Sequence, residues 1–197
     1  MSNKKNRPPV EVPSVAQLEK ELQRERYRRN YGRVLRSTLF TLVSVAAVAI
    51  LIAMLFMPVL QIYGSSMSPC LEDGDIVVTV KRSDFQQGDV ISFYYNNKIL
   101  VKRVIAFPGD WVNMDAEGNV FVNGQKLDEP YLADKAYGDV NIQLPYQVPE
   151  GKYFVMGDHR STSADSRNTA VGCVAEEQIV GKMVLRVWPF RAFGTIE

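Results

Sequence analysis

Histidine is almost absent from this chain of 197 residues: His159 is the only one, and the cysteines are two, Cys70 and Cys173. They form no CxxC pair, so no zinc-ligand spacing exists, and a structural or catalytic transition-metal site is not expected. Net charge is also scarce, at a formal +1. This argues against a general nucleic-acid binder, which carries a basic surplus. No internal repeat or low-complexity segment is present. Helical periodicity of useful length is missing beyond residue 60.

What is present is sharply segregated. The run "STLFTLVSVAAVAILIAMLFMPVL" carries no charge from Ser37 to Leu60, where about 20 apolar residues suffice to cross a bilayer. No face of it is polar, as an amphipathic core helix would require. It is longer than the apolar core of a cleaved secretory leader, and its charged lead is longer too. The expectation is a permanent anchor. Arg24, Arg26, Arg28, Arg29, Arg33 and Arg36 precede it, whereas Glu72, Asp73 and Asp75 follow before the next basic residue, Lys81. The positive-inside rule then places the N-terminus in the cytoplasm and everything after Tyr63 outside. The segment "SVAQLEKELQRERYRRN" reads either as a short helix with arginines near anionic headgroups or as a solvated tail.

From Asp75 onward the pattern is extended. "DIVVTVK" is β-branched, and "VISFYYNNKILVKRVI" reads as a hairpin turning at Asn96-Asn97. "WVNMDAEGNVFVNGQKL" has turn signals at Asp115–Gly118 and at Asn123-Gly124, and "KYFVMGD" and "QIVGKMVLRVWPF" supply further strands. Proline-rich residues 128–151 read as a loop or small subdomain. The whole is a mainly β domain of about 135 residues, large enough for its own core.

Chemistry is expected where the apolar run ends, in "IYGSSMSPCLEDGD". A serine nucleophile needs a base, usually histidine, but here only His159 in "MGDHRSTSADSR" is available. A buried lysine is the alternative, because an apolar environment disfavours the ammonium and lowers its pKa. In "KILVKRVIAF", alternation puts Lys102 on one strand face with Leu100 and Val104, and Arg103 on the other. The opposite assignment, with Lys102 in solvent, would bury an arginine. These residues leave Ser65, Ser66 and Ser68 equivalent as nucleophiles.

Three ordered stretches select among them by resemblance. "SSMSPCL" resembles the Ser-Met-x-Pro box of bacterial type I signal peptidases, in the Gram-positive-like form of these leader peptidases. "LVKRVIAFPGDWV" is similar to their lysine box, and "MGDHRSTSADSR" to their Gly-Asp-x-Arg…Ser-x-Asp-Ser-Arg box. The resemblance implies an antiparallel β catalytic domain at 61–197, preceded by one transmembrane α-helix at 37–60 and a basic cytoplasmic tail at 1–36. It implies a serine endopeptidase of the bacterial plasma membrane, single-pass and without a cofactor, that cleaves secretory preproteins. Ser66 would be the nucleophile and Lys102 the base. Ser163 would orient the lysine, Asp165 and Arg167 would form a supporting ion pair, and Asp158 would be structural. The Ser66 N–H would be one oxyanion donor. Gly64 stands where some members place a second donor, a serine hydroxyl; Cys70 replaces a usual threonine, and Ser161-Thr162 a common Asp-Asn. Cys70 and Cys173 would either pair outside the membrane or remain thiols.

Ile62, Gly64, Met67, Leu100 and Val101 are the candidates for shallow substrate pockets, with the leader lying extended along a strand edge. At about 3.3 Å per residue, Ser66 lies no more than roughly 20 Å beyond Leu60, close to the outer bilayer surface. The expected partners are signal peptides and the lipid bilayer, with no nucleic acid, and the chain is expected to be a monomer. The readings that compete are a self-cleaving Ser/Lys protease of the repressor or conjugative-transfer kind, against which the anchor counts, and an anchored β domain that binds peptides or assembles envelope structures without catalysis.

Overall fold

The computed structural model describes residues 14–81 and 84–196, so residues 1–13 of the basic tail lie outside it. Among the described residues one α-helix, α1, runs over Val15–Phe56. It begins on a reciprocal cap: Gln17 N–H donates to Ser14 Oγ, and Ser14 N–H to Gln17 Oε1. Such a pair satisfies donors that a helix start otherwise leaves open. At 1.5 Å per residue the helix is about 63 Å long, about twice a bilayer's hydrocarbon core. Its apolar part is long enough to span by length and composition. The basic segment and the apolar run are therefore one continuous helix, and that helix stops four residues before Leu60. Pro58 explains the stop. It cannot donate an N–H, and it disfavours helical backbone at Met57. Val59–Gln61 then form β1.

The part from Ile52 onward is a compact unit of its own. Its strands in chain order are β1, β2 (Ile76–Val80), β3 (Val90–Tyr95), β4 (Lys98–Ala106), β5 (Trp111–Met114), β6 (Val120–Val122) and β7 (Gln125–Lys126). They continue with β8 (Tyr146–Gln147), β9 (Lys152–Met156), β10 (Val174–Ala175), β11 (Ile179–Trp188) and β12 (Gly194–Thr195). The larger sheet has the order β1-β2-β11-β3-β4-β9-β10, with β12 on β11, and the smaller one the order β7-β6-β5-β8. All the pairings are antiparallel. The fold is thus the expected mainly β architecture behind one apolar helix.

The anticipated hairpin forms at Asn96-Asn97, joining β3 to β4, and the turn signalled at Asn123-Gly124 joins β6 to β7. Asn96 and Asn97 have φ of 43° and 21°, and Asn123 and Gly124 have 51° and 78°. Two successive positive φ values suit the two-residue turns that match strand twist. Residues 128–151 contribute only the two-residue β8, as their prolines suggest.

Three apolar clusters hold the unit together. One lies with the smaller sheet around Val112, Val120, Phe154 and Met156. A second gathers Ile62, Met67, Leu71, Val77 and Met183, and a third Ile91, Phe93, Val104 and Val155. Cys70 packs on the second and Cys173 on the first, and no disulfide joins them.

Candidate active site

Residues 62–75 form the loop between β1 and β2, and its neck is zipped by backbone bonds. Ile62 N–H donates to Asp75 O at 2.8 Å, and Gly74 N–H to Ile62 O at 2.9 Å. Inside the loop, Ser68 N–H donates to Ser65 O and Leu71 N–H to Met67 O, giving tight turns. Met67 and Leu71 are sunk in the second apolar cluster. Arg186 of β11 clamps the far side, donating to Asp75 Oδ2 and to Cys70 O. Ser66 is thereby presented on a loop that is anchored beneath it.

Gly64 has φ +86°, a left-handed value natural to glycine, and open space surrounds the place of a β-carbon. Its N–H donates to Asp73 Oδ1 at 2.7 Å, so that donor is occupied and cannot double as a second oxyanion group. Ser66 N–H meets no acceptor among the described residues.

Lys102 approaches from β4. It lies directly opposite Ile91 of β3, and opposed residues share a face. Leu100 and Val104, expected on that same face, belong with Ile91 to the third apolar cluster. Lys102 is 3% exposed, and its amine shares a hydrogen bond of 2.7 Å with Ser66 Oγ. Burial pulls its pKa down from the ordinary 10.5 to about 8, against the opposing pull of the Asp165 and Asp158 carboxylates. Near neutrality the amine is therefore within reach of its unprotonated form, whose lone pair can take a hydroxyl proton.

Arg103 departs from the reading that burial of an arginine is unfavourable. It is 1% exposed. Asp158 explains this, accepting two bonds from its guanidinium at 2.9 and 2.7 Å. Arg103 also donates to Gly88 O and lies 3.9 Å over the ring of Tyr131. A bidentate carboxylate and an aromatic face together offset the loss of water around the charge. Both neighbours on β4 are thus buried, one as a paired cation and the other as a depressed amine.

The turn after β9 closes the site. Asp165 accepts two bonds from the Arg167 guanidinium, each 2.8 Å long, and one from Gly157 N–H at 2.9 Å. Arg167 also donates to Tyr137 O and Arg160 O. A β-carbon at Gly157 would overlap Ser163 Oγ and crowd Ser66 O, so glycine lets this turn press against the Ser66 loop. Ser163 Oγ is buried and has no hydrogen-bond partner among the described residues. The bond expected between it and Lys102 is not made in this structure. His159 meets Ser66 through its backbone, its N–H donating to Ser66 O at 3.1 Å. Its Nδ1 is buried without a partner, and the ring makes no hydrogen bond to Ser66.

A groove of about 520 Å³ runs up to Ser66 and Lys102. Its walls include all five expected pocket residues, Ile62, Gly64, Met67, Leu100 and Val101, together with Leu60, Gln61, Tyr63, Lys98 and Ile99. No group of His, Cys, Asp and Glu among the described residues is suited to a metal ion.

The model of the family described as "Signal peptidase, peptidase S26" matches residues 35–188. The chain belongs to this signal peptidase family. Signal peptidase IB of Staphylococcus aureus (strain COL) is 41% identical over 152 residues, covering 67% of this chain and 78% of that protein. Signal peptidase I of Bacillus licheniformis is 36% identical over 173 residues, covering 79% and 91%. A crystal structure of a signal peptidase I from Enterococcus faecalis V583 aligns with 51% of this chain and 97% of its own, at 31% identity and a TM-score of 0.45. By the family match and the similarity to the staphylococcal and Bacillus proteins, the chain is a peptidase of the signal peptidase I type.

Reasoning from sequence missed part of this signal peptidase's polar core. Arg160 donates to Gly157 O and pairs with Glu129, both side chains being sealed from solvent. Glu129 belongs to the proline-rich loop, far along the chain from "GDHR". A charged residue between a proline and an aspartate, in "DEPYL", carried no periodic signal, and only the fold brings the two together.

Proposed function

We propose that this chain is a membrane-bound serine endopeptidase that removes N-terminal signal peptides from secreted preproteins, with Ser66 as nucleophile and Lys102 as general base. The observation that carries the reading is the 2.7 Å contact between the Ser66 hydroxyl and a buried lysine whose pKa is drawn down to about 8. Lys102, when neutral, accepts the hydroxyl proton as Ser66 Oγ bonds to the scissile carbonyl carbon. The carbonyl oxygen takes the displaced electron pair and is met by the Ser66 N–H. The new ammonium returns its proton to the leaving amine as the C–N bond breaks, leaving an ester on Ser66. Water, giving a proton to the same amine, then attacks the ester carbonyl carbon, and the ammonium passes that proton to Ser66 Oγ as its bond to the acyl carbon breaks.

The remaining residues position this pair. Asp165, held by Arg167, fixes the Gly157 turn against the Ser66 loop. Asp158 neutralises Arg103 next to the lysine, and Ser163 is the nearby hydroxyl left to orient the amine. The apolar walls made by Ile62, Met67, Leu100 and Val101 suit small side chains before the cut.

The arginines that precede Ser37, against the acidic residues that follow Leu60, support a single-pass topology in a bacterial plasma membrane, with the N-terminus cytoplasmic. Trp188, Phe190 and Phe193 are exposed aromatics. We assign them to contact with lipid, and the working unit to a monomer.

The test is to incubate the full-length protein in detergent with a secretory preprotein and to look for a leader-sized fragment. Cleavage that disappears in Ser66→Ala is expected. Absence of the fragment, or equal cleavage by Ser66→Ala, would overturn the proposal.

A further inference from the structure

The groove is apolar near Ser66 and changes character at its far end. Lys98 lines it there, as the first residue of β4, immediately after the Asn96-Asn97 turn. Among the described residues no acidic side chain lines the groove. Among the described residues no ion pair engages Lys98. Gln61 and Tyr63 line it too, joined by a bond of 2.9 Å from the Tyr63 hydroxyl to Gln61 Oε1. Lys98 is therefore an uncompensated, exposed cation at one end of a groove whose other end holds the serine and the buried lysine.

Strand geometry relates the two ends. From Lys102 to Lys98 is four residues, or about 13 Å at 3.3 Å per residue. An extended peptide beside β4 advances at the same rate. If the residue giving up its carbonyl to Ser66 is level with Lys102, the residue level with Lys98 is the fifth before the cut. Side chains alternate, so the first, third and fifth residues share one face. On its side away from β3, β4 is covered by β9 only from Arg103 onward, so an extended peptide beside β4 can lie only along Lys98–Lys102, and the apolar walls there suit the apolar leader that precedes the cut.

We propose that Lys98 is a specificity-determining residue, selecting for an acidic and against a basic side chain at the fifth position before the cut. This rests on the signal-peptide reading above. Exposed charge pairs contribute modestly, so each step from Asp to Asn to Lys at that position should lower kcat/KM about two- to fivefold. The effect should shrink as salt is raised. It should fall on KM more than on kcat, because the contact is far from the reacting atoms and is equal in ground and transition states.

The experiment uses the full-length protein in detergent and one preprotein carrying Asp, Asn or Lys at the fifth position, at low and high salt. Wild type should rank them Asp, Asn, Lys. Lys98→Glu should reverse the order, and Lys98→Met should flatten it. An unchanged order in Lys98→Glu, or a charge preference found only at residues after the cut, would overturn the proposal while leaving the cleavage reaction standing. A neutral preprotein left uncut by wild type would remove the reading itself and the proposal with it.

Discussion

Replacing Lys102 by methionine should make the protein more stable at neutral pH even though it removes the proposed base. The side chain is buried, and its pKa falls from 10.5 to about 8. At about 1.4 kcal/mol for each tenfold change, holding the ammonium in this site costs about 3 kcal/mol. The sign follows from proton binding. Between about pH 8 and 10.5 the unfolded chain keeps a proton that the folded chain has lost, so stability due to this group rises with pH across that window. Below about pH 8 the full penalty is present. Methionine fills a similar volume without charge, although the hydrogen bond to Ser66 is lost, at about 1 kcal/mol. Lys102→Met should therefore gain about 2 kcal/mol at pH 7, and the gain should vanish between about pH 9 and 10 and become a small loss near pH 10.5, where only the missing hydrogen bond counts. Denaturant unfolding of the full-length variant and wild type in one detergent, at both pH values, measures the difference. A variant that is less stable at pH 7, or a difference independent of pH, would refute the argument that burial depresses the lysine.

Asp158→Asn should destabilise the protein by about 3–5 kcal/mol, because it strands the buried Arg103 cation; the same unfolding experiment would show it, and a change below 1 kcal/mol would contradict the pairing. Gly157→Ala should lower kcat by about a hundredfold or more, since its β-carbon meets Ser163 Oγ and Ser66 O and a small displacement of the reacting groups is enough for such a loss. Gly64→Ser should leave activity within about tenfold, because space is open there and the left-handed backbone costs only about 1–2 kcal/mol; a far larger loss would mean that the φ of +86° is essential.

How far the fold could be read in advance depended on whether each signal was local. The turn at Asn96-Asn97 was legible because two residues with positive φ need amide side chains or glycine, and the flanking alternation fixed the hairpin. Lys102 stood out by its apolar neighbours on the same strand. Arg103 was misjudged because its partner, Asp158, is 55 residues away, and burial of a charge depends on the partner rather than on the strand. The end of α1 at Phe56 was overrun because hydropathy continues through Val59 and Leu60, which leave the helix to pair with Val78 and Val77. Pro58 was the available marker. The Glu129–Arg160 pair was hidden for the same reason as Arg103: neither residue carries a local pattern that names the other.

The dependence of kcat/KM for preprotein cleavage on pH tests the central claim most directly, since it reports the ionisation of the free enzyme. With Lys102 as base, activity should rise through a midpoint near pH 8, keep that profile in His159→Asn, and be absent in Lys102→Arg. A pH dependence that disappears in His159→Asn, with cleavage surviving in Lys102→Arg, would contradict the Ser66/Lys102 assignment and return the chemistry to histidine.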